Sequence, residues 1–357
     1  MNRLAYRYDY KSFMKILRKT IIIPLLAVLA AGCAKEVATS TNLLEEEYIE
    51  AWLKSNYPNA TKSGTGIYIL DDQPGSGAAY NAESYVHVDF TTKDIDGTII
   101  STTDVETSKR LGTYTKGNYY GPKIWQISKT TIPVGVEDLL SGMKVGGTRT
   151  ALVPSWLTTL NRYKKESDYM KKASGSSTTI YTVTLRDVIS DIQKWELDSL
   201  ASYARNNYGL APADTIRRGF YYKQTTKPVK EKTFPNDTSF YINYIGRLLD
   251  GTVFDTSIAD SAKFYGIYSA SKTYGPVKIS WAEDVVDIKM TVETSSSASN
   301  SSTPVGGFQY TLWERSGTYE KGTGLFWSPL GYSTSGSGNT IPPFSPLRFD
   351  IEMVNKN

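Results

Sequence analysis

Cysteine and histidine are almost absent from this chain of 357 residues: Cys33 is the only cysteine and His87 the only histidine. A single cysteine excludes an internal disulfide, so the fold must be held by its apolar core. A single histidine rules out His-rich metal sites and most His-based catalytic triads. His87 lies in the alternating segment SYVHVDF, which is typical of a strand surface residue rather than of a metal ligand.

A strong excess of charge of one sign is also missing. The chain has 40 basic and 36 acidic residues, for a formal net charge of +4. Six of the basic residues and one acidic residue lie within residues 1–32, so the remainder carries 34 basic and 35 acidic residues. Proteins that bind nucleic acids present a basic patch or stripe. The charge therefore predicts no nucleic-acid partner.

A long apolar run is also missing near the N-terminus. The run IIIPLLAVLAA covers residues 21–31, whereas a membrane-spanning helix needs about 20 apolar residues. Basic residues precede this run and Gly32-Cys33 follows it, which is the layout of a secretory signal peptide. A small residue directly before cysteine matches the lipobox, in which the thiol receives a lipid; the position three before the cysteine is Ala30, with Leu29 one place earlier.

These patterns predict a lipoprotein signal peptide over residues 1–32, with translation starting at Met1 or Met14, and lipidation of Cys33. Residues 33–42 would form a tether, and the membrane would be a partner through the lipid anchor, with palmitate among its acyl chains. The expected location is the cell envelope outside the cytoplasm, in the outer membrane, facing the periplasm or the cell surface. The alternative is an ordinary signal peptide followed by a chance cysteine.

The rest of the chain contains an internal repeat of two similar units. Apolar residues recur at helical spacing in residues 43–57 and again in residues 195–208. Sixteen positions then align without a gap, VDFTTKDIDGTIISTT at residues 88–103 and INYIGRLLDGTVFDTS at residues 242–257. Both contain an Asp-Gly turn between alternating strands, which predicts a β-hairpin. The offset drifts only from 151 to 154 residues, which indicates duplicated domains with a boundary near Asp191.

Each unit continues with a short helix and closes with a strand. The predicted helices cover residues 136–143 and 308–315, and the predicted strands cover residues 180–185 and 347–353. One low-complexity segment, residues 294–303, has no apolar anchor and is predicted to be an exposed flexible loop.

The second unit resembles the FKBP-type peptidyl-prolyl cis-trans isomerases. The resemblance rests on INYIGRLLDGTVFDTS and on LFWSPLGYSTSGSGNTIPPFSPLRFDIEMV, separated by an insertion near residues 260–303. The first unit keeps DIDGTIISTT and IPVGVEDLLSGMKVGGTRTALVP but lacks Ile-Pro-Pro. The resemblance implies an α+β fold of two FKBP-like domains, residues 43–190 and 191–357. Each would be an antiparallel sheet wrapped over a short helix and preceded by an N-terminal helix.

The resemblance also implies a proline-binding pocket in the second unit, with no cofactor and no metal. Asp255, Tyr332 and Tyr244 would be its catalytic residues. The substrate-binding residues would be apolar: Phe254, Val305, Phe308, Ile341 and Phe349. Phe308 stands where the family usually has a tryptophan. Ordinary core packing is the alternative interpretation of these aromatic residues.

The first unit departs from the family pattern at the corresponding positions. Phe90, Ile100 and Ser101 stand where the second unit has Tyr244, Phe254 and Asp255. Val136 stands in the position of Phe308, and Tyr181 in that of Phe349. The first unit is therefore expected to keep the fold without the site.

Three functions are compatible with the sequence. The first is a lipid-anchored isomerase acting on proline-containing exported polypeptides, and the second is an FKBP-fold scaffold without turnover. The third, a carbohydrate-binding surface protein, rests only on the 26 tyrosines and 7 tryptophans. The aromatic residues of the insertion would either line a partner surface or fill a local core: Tyr265, Tyr268, Tyr274 and Trp281. The sequence leaves the oligomeric state open.

Overall fold

The computed structural model describes residues 42–172, 176–231, 239–292, 300–314, 317–318 and 320–355. The predicted signal peptide, Cys33 and all of the predicted tether except Asn42 lie outside these residues. Within the described ranges, no helix has both the length and the apolar character needed to cross a membrane.

The helices and strands that the two halves share follow the same order along the chain. The helices are α1 (42–56), α2 (Val105–Arg110), α3 (Val134–Leu140), α4 (Glu166–Met170), α5 (Ile192–Tyr208), α6 (Ala259–Tyr265) and α7 (Gly306–Trp313). The strands of the first half are β1 (Thr61–Lys62), β2 (Tyr68–Gln73), β3 (Tyr85–Lys93), β4 (Ile99–Thr102), β5 (Lys123–Gln126), β6 (Thr148–Val153) and β7 (Thr179–Ile189). Those of the second half are β8 (Phe220–Thr226), β9 (Lys230–Glu231), β10 (Ser239–Leu248), β11 (Val253–Thr256), β12 (Val277–Ser280), β13 (Lys289–Val292), β14 (Asn300–Ser302), β15 (Gly317–Thr318), β16 (Lys321–Phe326) and β17 (Leu347–Val354).

The two larger sheets share one topology. The first has the order β1-β2-β6-β7-β3-β4, with β5 also on β3, and the second has the order β14-β13-β12-β10-β17-β16-β8, with β11 also on β10. The path β2-β6-β7-β3 therefore corresponds to β8-β16-β17-β10, and each of these pairings is antiparallel. The predicted α+β class with two antiparallel sheets is confirmed.

One short helix covers the apolar face of each sheet. In the second half, every other residue of β10 and of β17 is buried, as expected for strands with one face on a core. Phe308 and Leu312 of α7 pack into that core. In the first half, Leu139 and Leu140 of α3 take the same place. Both helices begin two residues earlier than the sequence predicts, because a Val-Gly or Gly-Gly pair forms the first turn.

The helix at the start of each unit is bonded to a serine near the end of that unit. Glu45 in α1 accepts a hydrogen bond of 2.6 Å from the hydroxyl of Ser155. Glu196 in α5 accepts 2.8 Å bonds from both the hydroxyl and the backbone N–H of Ser328. Each serine begins a 3₁₀ turn that directly follows a strand of the sheet. The duplication thus includes a polar contact as well as the strand pattern, and this contact is part-buried in the first unit and buried in the second.

The insertion in the second unit widens its sheet. β12, β13 and β14 extend the sheet beyond β10, and α6 follows β11. The segment predicted as an exposed loop differs at its end, because Asn300–Ser302 pairs with β13 as a strand; residues 293–299 lie outside the described ranges. Trp281 is 9% exposed and packs on Phe240 and Trp313, whereas Tyr268 is 49% exposed. The insertion therefore has both a core and an open aromatic surface.

The two halves meet at a small apolar cluster. Phe344, which follows Ile341-Pro342-Pro343, is buried with Ile124 and Ile189 of the first half. Its ring centroid lies 5.2 Å from that of Tyr85. His87 is half-buried here, with its ring centroid 5.6 Å from that of Trp195. The predicted strand surface position of His87 is correct, and the surface faces α5.

Candidate active site

Four aromatic rings form the floor and walls of the candidate site. Phe308, from α7, meets Tyr244 of β10 at a centroid distance of 5.5 Å and Phe349 of β17 at 5.1 Å, both edge to face. Phe254 of β11 meets Phe349 edge to face at 5.6 Å. Edge-to-face contacts are favourable aromatic geometry. Phe308 is 3% exposed, so it closes the bottom of the cluster.

A carboxylate lies at the edge of this apolar cluster. The hydroxyl of Tyr244 donates to Oδ2 of Asp255 at 2.8 Å, and the backbone N–H of Thr256 donates to Oδ1 at 2.9 Å. Asp255 faces Gly246 across the β10–β11 pair, where a bulge shifts the register. Burial, with the Asp255 charge second, raises the pKa of Tyr244, so its hydroxyl stays protonated at neutral pH and donates.

The insertion delivers a cation to the same carboxylate. The ammonium of Lys272 forms an ion pair with Oδ1 of Asp255. It also lies 6.0 Å from the ring centroid of Tyr244 and 5.5 Å from that of Tyr274. The sequence did not predict Lys272 in the site, since a lysine inside an insertion has no local pattern that marks its partner.

The loop between β16 and β17 supplies the remaining predicted side chains. Tyr332 is half-buried and packs against the aromatic cluster. Burial, with the charge of Asp255 second, raises the pKa of Tyr332. Ile341 is 2% exposed and pairs with Ser337 within the loop. Val305, directly before α7, packs on the same cluster.

The structure therefore brings all the predicted catalytic and substrate-binding residues to one place. Tyr244, Phe308, Ile341 and Phe349 belong to the core cluster, and Phe254, Val305 and Tyr332 pack against it. Asp255 is bonded to Tyr244. Cys33, the predicted lipidation residue, lies outside the described residues. Among the described residues no group of three or more His, Cys, Asp or Glu side chains is arranged to hold a metal ion.

The corresponding region of the first unit lacks the carboxylate but holds a cavity. Ile100 is 61% exposed and Ser101 is exposed, as expected if the carboxylate side of the site is lost. A cavity of about 380 Å³ nevertheless remains over Val136 and Tyr181. Pro343 and Phe344 of the second unit line one side of it. The sequence does not predict this cavity, because it does not show that the other unit completes the wall.

Comparisons with known proteins find similarity to solved structures alone. No family model matches the chain, and no curated protein matches its sequence. Among solved structures, FkpA from Escherichia coli is 19% identical with a TM-score of 0.30, over 52% of this chain and 75% of that chain. The three FKBP domains of wheat FKBP73 are 13% identical with a TM-score of 0.26, over 81% of this chain and 94% of that chain. A peptidyl-prolyl cis-trans isomerase from Pseudomonas syringae pv. tomato is 17% identical with a TM-score of 0.28, over 45% of this chain and 93% of that chain. At these identities and TM-scores, what the chain does rests on the geometry of its own residues.

Proposed function

We propose that this chain is a lipid-anchored FKBP-type peptidyl-prolyl cis-trans isomerase that acts on proline-containing exported polypeptides, with its activity in the second unit. The observation that carries the proposal is the bonded pair of Tyr244 and Asp255 at the edge of an aromatic floor. The half-buried hydroxyl of Tyr332 adds a polar group nearby.

Such a site suits a reaction that breaks no bond. Rotation about a peptide bond has a barrier of about 18–20 kcal/mol, which is the loss of amide resonance. Unassisted X-Pro bonds turn over in tens to hundreds of seconds. The twisted amide is less charge-separated than the planar one, so apolar walls disfavour the planar ground state more. Phe308, Phe349 and Phe254 provide those walls.

Two polar groups are assigned different roles in this proposal. Asp255, held by Tyr244 and by the N–H of Thr256, is a fixed charge beside the twisting amide. Tyr332 donates a hydrogen bond to a substrate carbonyl. The hydroxyl is protonated at neutral pH, because the ordinary pKa of tyrosine is about 10 and burial raises that of Tyr332 further.

A protease-coupled prolyl peptide assay tests the proposal. We expect turnover by the wild type. Asp255→Ala should lower kcat/KM about ten- to a hundredfold, the effect of losing an interaction with a charged group, and Tyr332→Phe about three- to tenfold, the effect of losing a hydrogen bond to a neutral carbonyl. Matched controls are Asp260→Ala, with a side chain 93% exposed, and Tyr268→Phe, at 49% exposed. Both controls should behave as wild type. Unchanged turnover in the Asp255→Ala/Tyr332→Phe double variant would show that the residues are wrongly assigned.

The scaffold alternative has its own supporting observation. Lys272 already forms an ion pair with Asp255, and the ring of Tyr274 beside Lys272 stacks on that of the exposed Tyr268. A scaffold would bind proline-containing peptides or a macrocyclic FKBP ligand without accelerating isomerisation. Binding by a folded wild type that shows no turnover would favour the scaffold over the enzyme.

The lipid anchor rests on Gly32-Cys33 after the apolar run. Metabolic labelling with a fatty-acid analogue should mark the wild type and leave Cys33→Ser unlabelled. The wild type should also fractionate with the cell envelope. Equal labelling of the two proteins would contradict lipidation at this cysteine.

A further inference from the structure

The loop from residue 331 to residue 346 carries two residues of the proposed site, Tyr332 and Ile341, and ends beside Phe344. The backbone N–H of Phe344 donates to the carbonyl of Ser333 at 3.0 Å, one residue after Tyr332. Ser337 and Ile341 exchange hydrogen bonds of 2.7 and 3.1 Å. These bonds make the loop one connected piece, so a change at Phe344 is transmitted to the backbone next to Tyr332.

Phe344 has an unfavourable backbone conformation, with φ at +57°. A bulky residue in this left-handed region is strained, and such strain persists only where the surroundings hold it. What surrounds Phe344 comes largely from the other half of the chain. Its side chain is 6% exposed and packs with Ile124 and Ile189, edge to face with Tyr85 at 78°.

A second contact from the first unit reaches the same loop. The backbone N–H of Tyr119 donates to the carbonyl of Asn339 at 2.9 Å. The side chain of Tyr119 also packs against the core of the second unit. The loop is therefore attached to the first unit at two points, one on each side of Ile341.

We infer that Phe344 is a positioning residue, through which the first unit holds the loop of residues 331–346 and with it Tyr332 and Ile341 at the edge of the aromatic floor. This inference rests on the proposed function for its kinetic consequence. It gives the first unit a part in turnover without giving that unit a site of its own.

The test uses the full chain with substitutions on both sides of the contact. Phe344→Gly removes the ring, while glycine accepts a positive φ without strain, so this variant separates the anchor from the backbone conformation. Phe344→Leu keeps an apolar anchor. Tyr85→Ala removes the partner ring from the first unit, and Tyr48→Ala, 53% exposed on α1, is the matched control.

We expect Phe344→Gly and Tyr85→Ala to lower kcat/KM about three- to tenfold, because each removes an apolar contact that holds the loop. Hydrogen exchange of the amides in residues 331–346 should become faster in both. Phe344→Leu should stay within about twofold of wild type in kcat/KM. Tyr48→Ala should match wild type in both kcat/KM and hydrogen exchange. Folded Phe344→Gly and Tyr85→Ala proteins with wild-type kcat/KM would overturn the positioning role, whatever their exchange.

The two readouts separate this inference from the proposed function. A wild type without turnover refutes the isomerase, and the exchange measurement then decides alone whether the first unit holds the loop. Faster exchange confined to residues 331–346 in both variants would support the inference that the first unit positions this loop. Unchanged exchange in both would overturn it.

Discussion

Removing one hydroxyl from the candidate site tests how Asp255 is held. Tyr244→Phe deletes the donor that lies 2.8 Å from Oδ2 of Asp255 and leaves the ring among Phe308 and Phe349. The carboxylate keeps the N–H of Thr256 as a donor. The substitution therefore changes the orientation of a charge more than it changes the apolar walls.

The magnitude follows from the exposure of the two partners. A hydrogen bond to a charged group contributes about 1.5–3 kcal/mol when both partners are buried. Tyr244 is 7% exposed, but the side chain of Asp255 is 41% exposed. Water can replace the lost donor on such a carboxylate. We expect unfolding in urea to show a loss of about 1 kcal/mol, and kcat/KM to fall about fivefold to tenfold.

A double-mutant cycle with Asp255→Ala decides whether the bond is the cause. If Tyr244 acts through Asp255, then adding Tyr244→Phe to Asp255→Ala should change kcat/KM by less than about twofold. The cycle needs the protease-coupled assay on all four proteins and urea curves to confirm that each is folded. Fully additive losses in kcat/KM would refute the reasoning, because the hydroxyl would then act on the substrate directly.

Two further predictions concern the second unit's core. Burial raises the pKa of Glu196, although the hydrogen bonds from Ser328 act in the opposite direction. The stabilising contribution of Glu196 is therefore present below about pH 4.5 and is lost as pH rises through the folded-state pKa. The unfolding free energy of wild type minus that of Glu196→Gln should fall over this window, and a pH-independent difference would contradict the prediction. Gly307→Ala would place a Cβ 2.2 Å from the ring of Phe326 and should lower the free energy of unfolding in urea by about 2–3 kcal/mol. The control Gly306→Ala, whose Cβ would lie 3.7 Å from its nearest neighbour, should lower it by less than about 1 kcal/mol. Equal losses would show that the ring of Phe326 moves aside.

The sequence predicts those parts of the fold that depend on neighbouring residues. The two hairpins around Asp96-Gly97 and Asp250-Gly251 are confirmed, because alternation and turn residues are local. Helix α5 is confirmed as well, with Asp191 as its N-cap and Gly209 at φ +66° as its C-cap. Those residues mark the ends of the helix without help from distant contacts.

The parts that escaped prediction depend on contacts between distant segments. Lys272 reaches Asp255 only because the insertion folds back over β11, and charge alone does not indicate a partner. The cavity over Val136 gains a wall from Pro343 only because the two units dock. The predicted division into residues 43–190 and 191–357 stays a prediction, although α5 packs on Tyr221 and Leu325 of the second sheet.

The paired Glu–Ser contacts set an order of assembly. Ser155 lies 110 residues beyond Glu45, and Ser328 lies 132 residues beyond Glu196. A chain synthesised from its N-terminus presents each glutamate long before its serine. Until β16 and the turn after it arrive, the carboxylate of Glu196 lacks the partners that allow its burial, and an unpartnered buried carboxylate is costly. We therefore expect helix α5 to dock late, once the strand and the turn that carry Ser328 have emerged.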